Sequence, residues 1–438
     1  MRRLNQVAAA VSVFILISSG IAFASTPGEE VQVLKEQVKV LMDRIEKLES
    51  EVAKAKEAKP EEKVAEKKEE PLPAMLKNIG SKLKLSGRWA AGYYDSGENG
   101  AFPDGSFQAP EAKIRFDFQP DKYNTVVMRL NLNNATFNNL DYFYLDSKDF
   151  LPFLKDTPFT LESRIGRFKV DYGEETWSNN QVESAVVSNS ASNIAGNDEG
   201  AQLSGKINVF KLMPIKWSAS VTNGNGGTGA DNENSKAFSG KIAINPLDEL
   251  YLSASYYHSD DLENGASEFS IAGISTAPTN ATNWTREMWE VDARYDFKKG
   301  KKPLDPPAYT DSVAYIKGAF GQFWDDAGIS GVSAALSQLS VQDRDGAYGF
   351  VEGLYNINSK LFTAYRYSIV DLYKNQRASL NGINSNRQQR HSLGLGWRLS
   401  DKTIFKTEYT WNQERDVAIP ANTGKKNDQV SAAIVSNF

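Results

Sequence analysis

Between Trp289 and Phe297, Trp289, Val291, Ala293, Tyr295 and Phe297 alternate with Glu290, Asp292, Arg294 and Asp296. Successive side chains of a strand point to opposite faces, so this segment has one apolar face and one fully charged face. The same pattern recurs in Lys113 to Phe118, where Ile114, Phe116 and Phe118 oppose Lys113, Arg115 and Asp117. It recurs again in His391 to Leu399, where Leu393, Leu395, Trp397 and Leu399 oppose Ser392, Gly394, Gly396 and Arg398. A soluble sandwich also alternates, but unpaired charges turned toward a shared interior would be ruinous there. A water-filled barrel set in lipid needs that inversion, and its low mean hydropathy follows because the two faces cancel along each strand.

Candidate strands follow Lys82 near 83–94, 112–118, 123–133, 140–146, 161–172, 200–209, 215–222, 238–244, 250–258, 268–274, 286–297, 311–320, 348–355, 361–369, 390–399, 402–411 and 428–438. That count is odd and cannot return both ends to one side of a membrane. The weakest candidate, 268–274, is short and flanked by loop-like sequence. Assigning it to a long loop between His258 and Arg286 leaves sixteen strands and puts the connections in register. Short turns such as Gln119 to Lys122, Asn356 to Lys360 and Ser400-Asp401 then fall on one side. Long loops such as Asp95 to Glu111, Asn223 to Ala237, Trp324 to Ala347 and Leu372 to Gln389 fall on the other. This is the asymmetry of an outer-membrane barrel between periplasm and exterior. The last strand, with Val430, Ala432 and Ile434 on one face and Phe438 at its end, fits the closing strand of such a barrel. The expected fold is all-β: a transmembrane antiparallel β-barrel of sixteen strands around an aqueous channel, spanning 82–438.

The segment before it reads differently. Residues 1–24 have the charged start (Arg2, Arg3), apolar core (Val7 to Ile17) and Ala22-Phe23-Ala24 cleavage site of a secretory signal peptide. Within 25–53, Val31, Leu34, Val38, Leu41, Ile45, Leu48 and Val52 are spaced alternately by three and four, the a/d seam of a periplasmic coiled-coil helix. Residues 54–81 are a Lys/Glu/Ala-rich linker with Pro60, Pro71 and Pro73. The chain has no Cys, which excludes disulfides, thiolate metal sites and Cys nucleophiles.

The most distinctive stretch is Arg164-Ile165-Gly166-Arg167-Phe168-Lys169-Val170-Asp171-Tyr172-Gly173, followed by a long loop and then Gly200 to Lys206. Here the chain resembles the phosphate-selective porin O and P family, whose members carry a Gly-x-Phe-Lys-x-aromatic-Gly run before a long third loop and often a coiled-coil-like N-terminus. The resemblance implies a trimeric sixteen-stranded porin whose third loop folds into the pore as a constriction. That loop, taken as 173–199, holds Glu174, Glu175, Glu183, Asp198 and Glu199 and no Lys or Arg, whereas a phosphate channel should present cations there. Alternation assigns the pore-lining cations to strand faces: Arg88, Arg115, Arg129, Arg167, Lys169, Lys206, Lys216 and Lys241. An acidic loop facing this basic wall implies a transverse field and a weak cation preference.

Other classes are poorly served. The two histidines, His258 and His391, sit on separate strands, so neither a catalytic pair nor a metal cluster is expected, and no cofactor is implied. No basic footprint points to nucleic acid, since the net charge is -5. The expected partners are outer-membrane lipid, two further copies of the chain and peptidoglycan through the coiled coil. The leading reading is passive diffusion of small hydrophilic solutes and ions. The alternatives are a phosphate or anion channel and a structural tether to the cell wall.

Overall fold

A computed structural model describes Gly80 and residues 82–438 apart from 133–139, 155–156, 209–212, 227–234, 264–266, 280, 282, 298–312, 329–342, 374–375 and 416–425. The expected signal peptide (1–24), the expected a/d seam (25–53) and, apart from Gly80, the expected linker (54–81) lie outside the described residues. The wall strands are β1 (Leu83–Ser96), β2 (Ser106–Phe118), β3 (Asn124–Asn131), β4 (Leu140–Lys148), β5 (Phe159–Lys169), β6 (Ile194–Ile207), β7 (Ile215–Thr222), β8 (Ala237–Leu247) and β9 (Leu250–Glu263). They continue as β11 (Asn283–Asp296), β12 (Ala314–Gly328), β13 (Arg344–Asn356), β14 (Leu361–Leu372), β17 (Arg387–Arg398), β18 (Thr403–Arg415) and β19 (Gln429–Asn437). Three short strands, β10 (Phe269–Ile271), β15 (Ala378–Leu380) and β16 (Ile383–Ser385), belong to loops.

Each wall strand pairs antiparallel with its sequence neighbours, and β1 pairs with β19 from Arg88↔Asn437 to Ser96↔Gln429, which closes a sixteen-stranded barrel. Closure leaves no wall edge with unpaired backbone groups, the condition for crossing lipid with strands. Phe438 completes the seam by exchanging 3.0 Å backbone hydrogen bonds with Gly87. A side chain at position 87 would meet the Phe438 ring at 2.3 Å, so the terminal aromatic needs this glycine.

Side chains obey the inversion read from the sequence. On β11, Glu290, Asp292, Arg294 and Asp296 are buried inside while Val291 and Tyr295 are exposed outside. On β17, Leu393, Leu395 and Trp397 face out and Ser392 faces in. The short turns are set by local side-chain acceptors. Asp121 Oδ1 takes the N–H groups of Tyr123 and Asn124 at 2.8 and 2.9 Å, and Asn358 Oδ1 takes those of Lys360 and Leu361 at 2.8 Å.

Segment 268–274 stays out of the wall, as its assignment to a loop requires, yet it is ordered. Its β10 pairs with the Ile194–Gly196 end of β6. Phe269, Ile271, Ala272 and Ile274 join Tyr172, Tyr257, Met288, Phe323 and Leu380 in an apolar cluster within the barrel. Strands also run further outward than expected. β1 reaches Ser96, β2 starts at Ser106, β12 reaches Gly328 and β13 starts at Arg344, so two of the long loops are shorter than the sequence suggests. Cross-strand hydrogen bonds continue through these polar residues past the apolar band that marks a strand in sequence.

Candidate functional site: the third loop and the charged wall

The third loop, 170–193, leaves β5, crosses the interior and returns to β6. Its root is pinned on both sides. Lys169 Nζ donates to the Thr176 carbonyl and, at 3.2 Å, to Asn179 Oδ1. Lys241 Nζ from β8 donates to the Gly173 carbonyl at 2.8 Å and to Glu174 Oε1 at 2.7 Å, and it reaches Asp171 at 3.4 Å. One helical turn, Glu175–Ser178, follows. Glu175 then turns back onto the Ser190 and Ser192 hydroxyls of the returning arm.

The far arm seats on the opposite wall. Ala185 and Val186 pack with Ala90, Tyr315, Leu354, Phe362, Ala364, Ile404 and Val435. Gly394 allows the approach, since a side chain there would meet Val186 at 2.9 Å. Charged groups of β14, β17 and β18 then hold the loop backbone. Glu408 accepts the N–H groups of Val187 and Ser188 at 2.7 and 2.5 Å, and Lys406 donates to the Gln181 and Ser184 carbonyls at 2.7 and 2.5 Å. Arg390 donates to the Asn189 carbonyl at 2.8 Å, and Arg366 to that of Ser188.

Outside this plug, the charged wall of β1 to β7 keeps partial exposure. Side-chain exposure is 38% for Arg115, 21% for Arg164 and 16% for Lys113, against 0% for both Arg286 and Asp325 behind the plug. Register places cations side by side: Arg88↔Lys113, Arg115↔Arg129 and Lys206↔Lys216. Most are tied to carboxylates, Arg88 to Glu111 at 2.5 Å, Arg129 to Asp141 at 2.7 Å and Arg164 to Asp146 at 2.7 Å. Arg129 and Arg164 also lie over the Tyr142 and Tyr144 rings, at 3.6 and 4.3 Å from the centroids.

Five expected wall cations, Arg88, Arg115, Arg129, Lys206 and Lys216, therefore line this face. Three do not. Arg167 pairs in register with Phe143 and lies on the face of Ile165, both exposed on the outside, and it bonds Glu199 at 3.2 Å and the Gly226 carbonyl at 3.1 Å. Both phases of β5 carry cations, so alternation alone could not choose; the inward phase holds Arg164 and the buried Phe168. Lys169 and Lys241 point inward but are buried against the loop they anchor. Sequence reasoning missed Lys113, Arg164 and the clamp of Arg366, Arg390, Lys406 and Glu408, though Lys113 and Arg164 were legible as wet-face residues of their strands.

The expected acidic loop needs a larger correction. Asp198 and Glu199 belong to β6, which starts at Ile194, and not to the loop. Glu174 is bound to Lys241, Glu199 to Arg167, and Glu175 is enclosed by serines. Only Glu183 keeps a largely exposed carboxylate, 55% accessible and 4.0 Å from Arg88. The five carboxylates are therefore not an unpaired acidic rim. Both histidines, His258 and His391, share faces with exposed Tyr256 and Leu393 on the barrel exterior, away from the loop.

Loop titration follows from this burial. Burial alone would raise the Asp171 carboxyl, but Lys241 and Lys216 with the Ser218 and Trp177 hydrogen bonds hold it down at about 2. Its depressed value contributes roughly 2 kcal/mol to root docking, present above its ordinary pKa and lost as pH falls through about 2. Burial pushes the Glu175 carboxyl up against the opposing Ser190 bond, so its neutral form fits the loop better and docking strengthens on acidification. Conductance is therefore expected not to rise when pH falls from 7 to 4. A rise recorded in planar bilayers over that window would contradict this docking scheme.

No family model matches the chain, and no curated protein matches it. Solved structures do. OmpF of Salmonella typhi, in complex with daunomycin, is 13% identical over 82% of this chain and 99% of its own, with a TM-score of 0.51. In-vitro folded OmpT, an outer membrane protein of Vibrio cholerae, is 10% identical over 81% and 97%, with a TM-score of 0.50. The outer membrane channel DcaP of Acinetobacter baumannii is 13% identical over 81% and 97%, with a TM-score of 0.49. Together with the closure of β1 on β19, the likeness to OmpF shows that this chain has the closed sixteen-stranded β-barrel fold of the outer-membrane porins.

Proposed function

We propose that the chain is a porin of the bacterial outer membrane that passes small hydrophilic solutes and ions down their gradients. The observation that carries this reading is the division of the interior. The third loop and β10 fill one side, and a partly exposed wall of paired charges runs along the other. Side chains that keep their counter-ions can solvate passing solutes without binding any one of them tightly. Trimeric assembly, an N-terminal coiled coil in the periplasm and its grip on peptidoglycan belong to the same proposal. The seam Val31 to Val52 supports the coiled coil by its spacing alone.

The anion-channel reading is favoured by one specific observation: Lys206 and Lys216 are adjacent in register on the partly exposed wall. An ion passing within about 7 Å of one charge in water gains or loses roughly 0.6 kcal/mol, close to RT and a factor of about three in relative permeability. Lys206→Gln with Lys216→Gln should therefore move the reversal potential toward cations, and Glu183→Gln should move it toward anions, both most visibly at low salt. Glu175→Gln should move it little. Linear salt dependence of the unmodified conductance supports general diffusion. A saturable current blocked by phosphate supports the anion channel, and near-absence of current supports the tether.

A further inference from the structure

Behind the outer end of β6, oxygen atoms gather from four parts of the chain. Asp198 is fully buried, and Glu268, in the fifth loop between β9 and β11, is 6% exposed. The Glu268 carboxyl adjoins Asp198, Thr222 of β7 and Tyr257 of β9, while the Tyr257 hydroxyl also adjoins Ser259 and Ser267. Backbone contacts fix these pieces. Asp198 Oδ2 accepts Gly224 N–H at 2.6 Å, Glu268 N–H donates to the Gly224 carbonyl at 2.6 Å, and β10 continues from Glu268 along the Ile194–Gly196 end of β6.

The hydrogen-bond account of this cluster does not close. Both Glu268 carboxylate oxygens, the Tyr257 hydroxyl and the Ser259 hydroxyl are buried with no partner among the described residues, and the latter two side chains are 0% and 1% exposed. Each Asp198 oxygen accepts one backbone N–H, from Glu199 or Gly224, and keeps a lone pair. Of the cations around it, Arg286 bonds Asp325 and the Phe269 and Ile274 carbonyls, and Arg167 bonds Glu199 and the Gly226 carbonyl. Two like charges and several unpaired oxygens buried together are costly unless something positive joins them.

We propose that Asp198 and Glu268, with the Thr222, Tyr257, Ser259 and Ser267 hydroxyls, form a calcium site that staples the loop between β9 and β11 to wall strands β6, β7 and β9. The donor set is all oxygen, with two carboxylates and neutral ligands, which suits a hard cation of high and flexible coordination number. Magnesium demands near-ideal octahedral geometry and releases its water reluctantly, so it fits a dry, irregular cluster less well. The site lies by the long loops, on the side expected to face the exterior, where calcium binding at on the order of 0.1–1 mM is sufficient. Calcium binding at this site is independent of which solute the pore carries.

The test uses the full chain in detergent at pH 7.5, stripped with a chelator and titrated with calcium alone. Wild type should take up one saturating calcium per chain that Glu268→Gln does not. Its Tm should rise by about 5 °C at a hundredfold excess over Kd. Glu268→Gln should show the same calcium-free Tm or a higher one, because it removes a like charge without changing shape, and it should lose the calcium response. Tyr257→Phe, which keeps both carboxylates, should weaken binding severalfold and covers the case in which the glutamine variant fails to fold. A wild-type Tm indifferent to calcium, or a calcium response kept in full by both variants, would overturn the site. An increase in calcium-free Tm in Glu268→Gln together with an indifferent wild type would identify a proton shared by the two carboxyls instead.

Discussion

Glu408→Ala is expected to free the far arm of the third loop and raise single-channel conductance severalfold, with more frequent switching between conductance levels. Three donors of the loop converge on this carboxylate, Val187 N–H at 2.7 Å, Ser188 N–H at 2.5 Å and the Ser188 hydroxyl at 2.6 Å, beside the Thr410 hydroxyl of its own strand at 3.0 Å. Hydrogen bonds to a charged acceptor contribute about 1.5–3 kcal/mol each, and none of the three is replaced when the acceptor goes. Lys406, two residues earlier on the same inward face, also loses a nearby negative charge in a buried setting. A combined loss of about 3–5 kcal/mol shifts the docked equilibrium by roughly two to four orders of magnitude. Wall pairing of β17, β18 and β19 does not involve this side chain, so the heat-modifiable band of a folded barrel should persist. Glu408→Gln keeps one acceptor oxygen and should fall between. Unchanged conductance in Glu408→Ala with an intact barrel would show either that the apolar seat of Val186 holds the loop alone or that the loop is not the constriction.

This clamp also marks where sequence reading runs out. The wall was legible because each strand states its own register. Glu290, Asp292, Arg294 and Asp296 share a face whatever lies opposite, and turn residues such as Asp121 and Asn358 act within three positions of themselves. The interior depends on contacts between distant residues. Nothing around Glu408 shows that it will cap the backbone of Val187, which is 221 positions away. Lys241 and Glu174 read as an unopposed wall cation and loop anion until the loop brings them to 2.7 Å. Arg167 shows a different failure. β5 offers cations in both phases, and only the exposed Phe143 and Leu145 on the neighbouring strand decide which phase faces lipid. Segment 268–274 lies outside the wall, as its short, loop-flanked sequence indicates, but its role does not show in the sequence. Its strand-like pattern reflects a real pairing with β6, made inside the barrel.

That inner pairing leads to the largest expected loss of stability, in Arg286→Ala. Arg286 and Asp325 are both inaccessible to solvent and meet through two bonds, Nε to Oδ1 at 2.7 Å and a terminal nitrogen to Oδ2 at 2.8 Å. The same guanidinium donates to the Phe269 and Ile274 carbonyls at 2.6 and 3.0 Å, so one side chain ties the fifth loop to the wall. It also lies 5.0 Å from the Trp284 ring and 5.8 Å from that of Phe323. Removing it leaves a cavity, takes the side-chain donor from the Phe269 carbonyl and leaves the Ile274 carbonyl with the Ile271 N–H at 3.2 Å, while among the described residues Asp325 keeps Arg344 alone, at 2.8 Å. Breaking a buried pair on one side costs about 3–5 kcal/mol. The expected result is a lower Tm in detergent, new protease cleavage within 264–282 and a wider outer vestibule seen as higher conductance. Arg286→Lys should rescue little, because a single ammonium cannot reproduce the planar fork that reaches a carboxylate and two carbonyls together. Arg286→Met with Asp325→Leu and Arg344→Met should recover much of the Tm, since apolar side chains of similar volume remove all three charges of the cluster at once, Arg344 having Asp325 as its partner at 2.8 Å. If the triple variant is no more stable than Arg286→Ala, Arg286 owes its value to the carbonyls it ties and not to the carboxylate it neutralises.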